Sequence, residues 1–177
     1  HAVNGRYKIR SLYFDNFRDK ALLEKINGVN AREKFRVRYY NDDLSLILLE
    51  KKSKIHGLCS KDQAVITLEE ARLIANKDIE SLSASGKPLV KELYYKMRTE
   101  GLEPKTIVDY IREPFIYVPG NVRVTLDYDI RTGLTGTDFL TSDCVMVPAG
   151  NAPIILEVKW DEFLPAVIRD VVQVPGT

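Results

Sequence analysis

Residues Lys34-Phe35-Arg36-Val37-Arg38-Tyr39 alternate a cation with an apolar side chain three times in succession. In an extended strand neighbouring side chains leave opposite faces, so Lys34, Arg36 and Arg38 share one side and Phe35, Val37 and Tyr39 the other. Three cations at alternate positions repel one another unless solvent or an anion lies among them. The same alternation recurs outward from this segment. Arg123, Thr125 and Asp127 oppose Val122, Val124, Leu126 and Tyr128. Glu157 and Lys159 oppose Leu156, Val158 and Trp160, Glu50 shares a face with Lys52, and Tyr110 shares one with Arg112. An open antiparallel sheet with one wet side would do this. So would a closed or nearly closed barrel whose polar residues surround a channel. The dominance of arginine over a mixed Thr, Ser, Gln, Lys and Glu surface favours the channel.

Turn and cap signals set the element order. Strands are expected over residues 7–14, 34–40, 44–52, 106–112, 122–130 and 154–160, the second and third joined as a hairpin by a three-residue loop, Asn41-Asp42-Asp43. Pro114 is expected to end the strand at 106–112. Phe17–Ile26 has helical spacing, with Leu22, Leu23 and Ile26 as its apolar face and Gly28 as its stop. Thr67-Leu68-Glu69-Glu70 has the form of a capping box and opens a helix to about Asn76. Pro88 starts a helix that Gly101 follows, and Pro165 starts a short one through Val172. Residues 132–152 read as an irregular connection. The expectation is one α+β domain over residues 1–177, an antiparallel barrel with helices outside.

Composition narrows the chemistry. The 177 residues carry 26 Lys and Arg against 25 Asp and Glu, a net +1 that on its face excludes a polyanionic partner. The sum hides an asymmetry, because residues 1–61 hold 14 cationic and 7 anionic side chains and residues 62–177 hold 12 and 18. Such asymmetry points to a local field. With two histidines, His1 and His56, and two cysteines, Cys59 and Cys144, in no ligand spacing, a zinc site and a Ser-His-Asp triad are poor candidates. No apolar run reaches the roughly 18 residues of a membrane span and no signal peptide stands at the start, so a cytoplasmic chain without direct membrane insertion is expected.

Arginine forks pair with phosphate oxygens and lysine supplies point charge to the same groups. Glu157 among these cations has two readings, a ligand for a divalent cation that also takes phosphate oxygens, or an ion pair with Lys159 or a nearby arginine. Phosphoryl transfer needs mainly positioning, charge neutralisation and a bridging metal.

Ser11-Leu12-Tyr13-Phe14-Asp15-Asn16, Arg36-Val37-Arg38-Tyr39, Leu49-Glu50-Lys51-Lys52, Tyr110-Ile111-Arg112 and Leu156-Glu157-Val158-Lys159 stand in an order and spacing that resembles one family. That family is the polyphosphate polymerase domain of the vacuolar transporter chaperone type, within the triphosphate tunnel metalloenzymes, and the resemblance is closest to bacterial members. It implies an antiparallel barrel tunnel and transfer of the terminal phosphate of ATP to polyphosphate with manganese or magnesium. By matching position Arg36, Arg38, Lys52 and Arg112 would be the catalytic grip on phosphates, Tyr110 would assist, and Glu157 would bind the metal. Lys159, Arg123 and Lys61 transfer as substrate-binding residues on their direction or their nearness to a motif. Family members also carry an N-terminal strand with a Glu- or His-x-Lys-Tyr type motif and a C-terminal Ser-Lys-Tyr/Phe segment. Neither is in this sequence, so the barrel is expected to lack a strand at each end.

The resemblance leaves three functional classes. The first is an ATP-dependent polyphosphate polymerase, with ATP and inorganic triphosphate or polyphosphate as partners. The second is a triphosphate hydrolase, although the Glu-x-Glu-x-Lys strand usual in those enzymes is absent. The third is a non-catalytic polyphosphate-binding module, against which the retained Glu157 argues. Nucleic acid is the weakest candidate, because cations at strand centres inside a channel are closed to a duplex and no aromatic platform is evident.

Overall fold

A computed structural model describes residues 4–134 and 136–173. β1 (Tyr7–Asp15) leads through α1 (Lys20–Ile26) to β2 (Arg32–Tyr40), β3 (Asp43–Ile55) and β4 (Leu58–Ile66). α2 (Leu68–Ala75), a short 3₁₀ turn and α3 (Pro88–Glu100) precede β5 (Glu103–Tyr117) and β6 (Val122–Thr132). β7 (Val147–Pro148), β8 (Ile155–Lys159) and α4 (Ala166–Val171) complete the order. All ladders are antiparallel, in the order β4-β3-β2-β1-β5-β6, with β7 and β8 both paired to β6. The sheet curls without closing through hydrogen bonds, leaving β4 and β8 at its edges among the described residues.

The alternation in β2 decides which side of this curve is which. Phe35, Val37 and Tyr39 join Leu12, Leu49 and Ile107 in a core that Ile74 of α2 and Val90 and Leu93 of α3 cover. α2 is fixed by the expected capping box, in which Glu70 N–H donates to Thr67 Oγ1 at 3.1 Å and Thr67 N–H to Glu70 Oε2 at 2.8 Å. α3 begins at Pro88 and is ended by Gly101 in the left-handed region, as read. Helices therefore cover one face of the sheet, and Arg36 and Arg38 open onto the other, concave face.

Several expectations change. The β2–β3 hairpin pairs Tyr40 with Asp43, so its loop is two residues, Asn41 and Asp42, both at positive φ; short polar side chains tolerate the left-handed region that this tight turn demands. β4 is a full strand where none was expected, reached by a second two-residue turn at His56-Gly57. β5 passes through Pro114 to Tyr117. The pairing with β1 ends at Tyr7↔Arg112, so at Pro114 only β6 is alongside, and a missing N–H is tolerated on an open edge. α1 starts at Lys20, and its apolar face, Leu22, Leu23 and Ile26, is exposed and not packed on the sheet.

Candidate functional site on the concave face

The concave face is built from a few residues per strand, brought opposite one another by register. β2 offers Lys34, Arg36 and Arg38, and pairing sets Lys34 against Lys52, Arg36 against Glu50 and, on β1, Arg36 against Tyr13. Lys52 in turn faces Lys61 of β4. On the far wall Arg112 faces Asp127, and Thr125 faces Glu157 of β8. A cavity of about 410 Å³ is lined by Arg36, Arg38, Lys52, Tyr110, Arg112 and Glu157, with Lys159 beside them. A second cavity of about 420 Å³ shares Lys34, Lys52, Glu157 and Lys159 and adds Arg32, Lys54 and Lys61. Seven of the expected site residues thus meet around one space, and Lys61 lines the adjoining one. Arg123 is placed differently. It is exposed, paired in register with Lys159, and lines neither cavity.

Electrostatics on this face is a balance of many cations against a few buried carboxylates. Glu50, 0% exposed, accepts from Arg36 Nε at 2.6 Å, has Arg38 Nη1 at 3.9 Å, and meets Lys61 Nζ at 2.5 Å through its other oxygen. Burial alone would raise its pKa, but Arg36, Lys61 and Arg38 outweigh it and hold the carboxyl below its ordinary value. Arg112 makes a two-pronged pair with Asp127, both contacts at 2.6 Å, and its guanidinium lies over the Tyr110 ring. Arg38 donates to Tyr110 Oη at 3.1 Å and to Ser11 Oγ at 3.3 Å. Tyr13 accepts from Arg36 Nη1 at 3.2 Å; burial would raise its pKa, yet Arg36, Arg38 and Lys34 pull it below the ordinary value. Lys34 and Lys52 form no ion pair among the described residues. Burial, then the field of Arg36, Lys159, Lys34 and Arg38, lowers Lys52 to about 8.

Strand alternation puts Glu50 beside Lys52 and Asp127 beside Thr125, but it assigns neither carboxylate a role. The signal was a carboxylate at a cation-bearing register, visible only once the pairing of strands distant in sequence is known.

Among the described residues no cluster of three His, Cys, Asp or Glu could enclose a metal ion. The Glu157 side chain is 41% exposed, with Lys159 Nζ at 3.3 Å and Arg112 Nη2 at 3.9 Å. Thr125 Oγ1, in register with Glu157, is buried without a hydrogen-bond partner. One accessible carboxylate and the oxygens of a bound phosphate chain suit a hard divalent cation that keeps most of its waters. They do not make a cage for a resident ion.

A curled antiparallel sheet with a cationic concave face and helices packed behind it is the architecture that the sequence resemblance led us to expect. The chain matches the VTC domain over residues 2–175 and belongs to that family. Among the fourteen solved chains that match it is the crystal structure of a candidate adenylate cyclase from Bacillus halodurans. The two share 13% identity at a TM-score of 0.50, over 72% of this chain and 60% of the other, so the chain spans about 60% of that structure's length and the likeness is one of fold. No curated protein matches the chain significantly.

Proposed function

We propose that the concave face binds the phosphate chain of ATP and of polyphosphate, and that the full-length protein transfers the terminal phosphoryl group of ATP to a polyphosphate end. The observation that carries this reading is the convergence of Arg36, Arg38, Lys52 and Arg112, from three separate strands, on a single cavity that Glu157 also lines. Arg36 and Arg38 hold phosphate oxygens with the donors their hydroxyl and carboxylate partners leave free. Arg112, backed by Asp127 and stacked on Tyr110, does so from the opposite wall. Lys52 and Lys159 supply point charge, Lys61 extends the charge along β4, and Arg123 meets the chain only outside the cavity. Glu157 would hold magnesium or manganese, which when bound neutralises charge on the phosphate oxygens. In the transfer a terminal oxygen of the acceptor polyphosphate forms a bond to the γ-phosphorus as the bond from that phosphorus to the β,γ-bridging oxygen breaks, leaving ADP. No protein nucleophile is required, and positioning with charge stabilisation supplies the catalysis.

Free thiols at Cys59 and Cys144 suit a reducing cytoplasm, where ATP is available, and no described helix is long and apolar enough to cross a membrane. The deciding experiment incubates the full-length protein with ATP and manganese and resolves the products by chain length. Chains longer than three phosphates support the polymerase. ADP and orthophosphate alone indicate a hydrolase, and tight polyphosphate binding without turnover indicates a binding module.

A further inference from the structure

We propose that Glu50 is a positioning residue for the phosphate grip: its buried carboxylate, shared between Arg36 of β2 and Lys61 of β4, sets both cations in place before a ligand arrives. The inference rests on the reading of the concave face as a phosphate site. Glu50 is fully buried, yet its neighbours on that face are cations. As a stability device it is a poor choice, because a buried ion pair often contributes no more than well-packed apolar groups of the same volume. As a positioning device its geometry is efficient. Arg36 is pinned along one edge by Glu50, at 2.6 Å to both Nε and Nη2, and at the other end by Tyr13 Oη. Guanidinium rotamer freedom is therefore lost on folding and not on binding, which is how preorganisation raises affinity. Glu50 also crosses a strand boundary. β4 is an edge strand hydrogen-bonded only to β3 among the described residues, and its Lys61 side chain is 43% exposed. The 2.5 Å contact with Glu50 turns an otherwise solvated ammonium toward the cavity that Lys52 and Lys159 line.

The test measures tripolyphosphate affinity by calorimetry for the full-length protein and for Glu50→Gln, Glu50→Asp and Lys61→Met, across pH. The charged groups at Glu50 are Arg36 and Arg38 of β2 and Lys61 of β4; Lys52 lies two residues along β3, and Lys34, Tyr13, Lys159 and Glu157 stand elsewhere on the concave face. Glu50→Gln keeps the volume and removes the charge. It is expected to bind about tenfold more weakly, equivalent to ~1.4 kcal/mol, and to lose its alkaline affinity at lower pH, since the already depressed Lys52 ammonium loses the one carboxylate on its own strand face. Glu50→Asp keeps the charge and withdraws the oxygens, so affinity falls while the pH profile returns to that of the parent. A role confined to stability would lower the unfolding midpoint and leave the profile of the folded protein unmoved. Parent-like affinity and profile in Glu50→Gln overturn the proposal. If that variant does not fold, Glu50→Asp and Lys61→Met carry the test, and parent-like affinity in both overturns it. A parent that binds no tripolyphosphate overturns the phosphate-site reading itself, and the role of Glu50 with it.

Discussion

Arg36 and Arg38 occupy equivalent places in the alternation of β2 but not in the network around it. Arg36 neutralises Glu50 directly, whereas Arg38 rests on the hydroxyls of Ser11 and Tyr110 with Glu50 only at 3.9 Å. Truncating Arg36 leaves a buried carboxylate short of one of its two closest partners, a defect of roughly 3 kcal/mol, while truncating Arg38 chiefly removes bonds to hydroxyls and costs about 1 kcal/mol. Both substitutions to Ala should sharply reduce tripolyphosphate binding, but urea unfolding should separate them, with Arg36→Ala the less stable. Equal midpoints would contradict the asymmetry. Lys52 provides the pH signature. With a pKa of about 8 when folded against an ordinary 10.5, the unfolded chain binds the extra proton between those values. Stability of the ligand-free protein attributable to Lys52 therefore rises with pH through that window. Phosphate binding favours the charged amine, so affinity should fall as pH rises through about 8, and binding near that pH should take up a proton. Calorimetry in buffers of different ionisation enthalpy reads the uptake, and Lys52→Met should diminish it, leaving the smaller share of Lys34, whose pKa burial also lowers.

At the scale of elements, α1 separates what periodicity can say from what it cannot. Leu22, Leu23 and Ile26 do form one face, as their spacing requires, yet that face points to solvent. The reason lies at the helix start. Asp15, at the end of β1, accepts from the amides of Ala21 and Leu22 at 2.8 and 3.1 Å, and Lys20 reaches Glu100 of α3 at 3.1 Å, so the polar side is tied to the fold. The double substitution Leu22→Ser, Ile26→Ser should then change the unfolding free energy by less than about 0.5 kcal/mol per site, as exposed positions do, where a core face would lose several times that. Thermal unfolding checks it. β4 fails in the opposite way. Leu58-Cys59-Ser60-Lys61-Asp62-Gln63 has no apolar face because an edge strand with solvent nearby needs none, so the segment carries no alternation to read. β2 was legible because both its faces are buried by different things, a core on one side and counter-charges on the other. Pairing partners such as Glu50 for Arg36 and Asp127 for Arg112 depend on register between strands, which no single segment encodes.

At the scale of the molecule, near-neutral net charge is the sum of a cationic first third and an anionic remainder, and the fold gathers much of the cationic part onto one concave wall. Two opposite responses to salt follow. In the ligand-free protein Lys34, Lys52 and the arginines repel one another at short range, with Glu50 and Asp127 as partial compensation, so moderate inert salt should screen the repulsion and raise the unfolding temperature. The same salt weakens the attraction of the wall for a polyanion, so polyphosphate affinity should fall as salt rises. A protein whose charges were dispersed over its surface would show neither trend strongly at a net charge of +1. Thermal unfolding across a sodium chloride series, with and without tripolyphosphate at fixed concentration, joins the two responses in one experiment. The stabilisation by ligand, the gap between the paired curves, should be largest at low salt and shrink steadily, because it depends on the ligand's affinity, which salt lowers. A gap independent of salt would mean that the cations on the concave face do not act together on a phosphate chain.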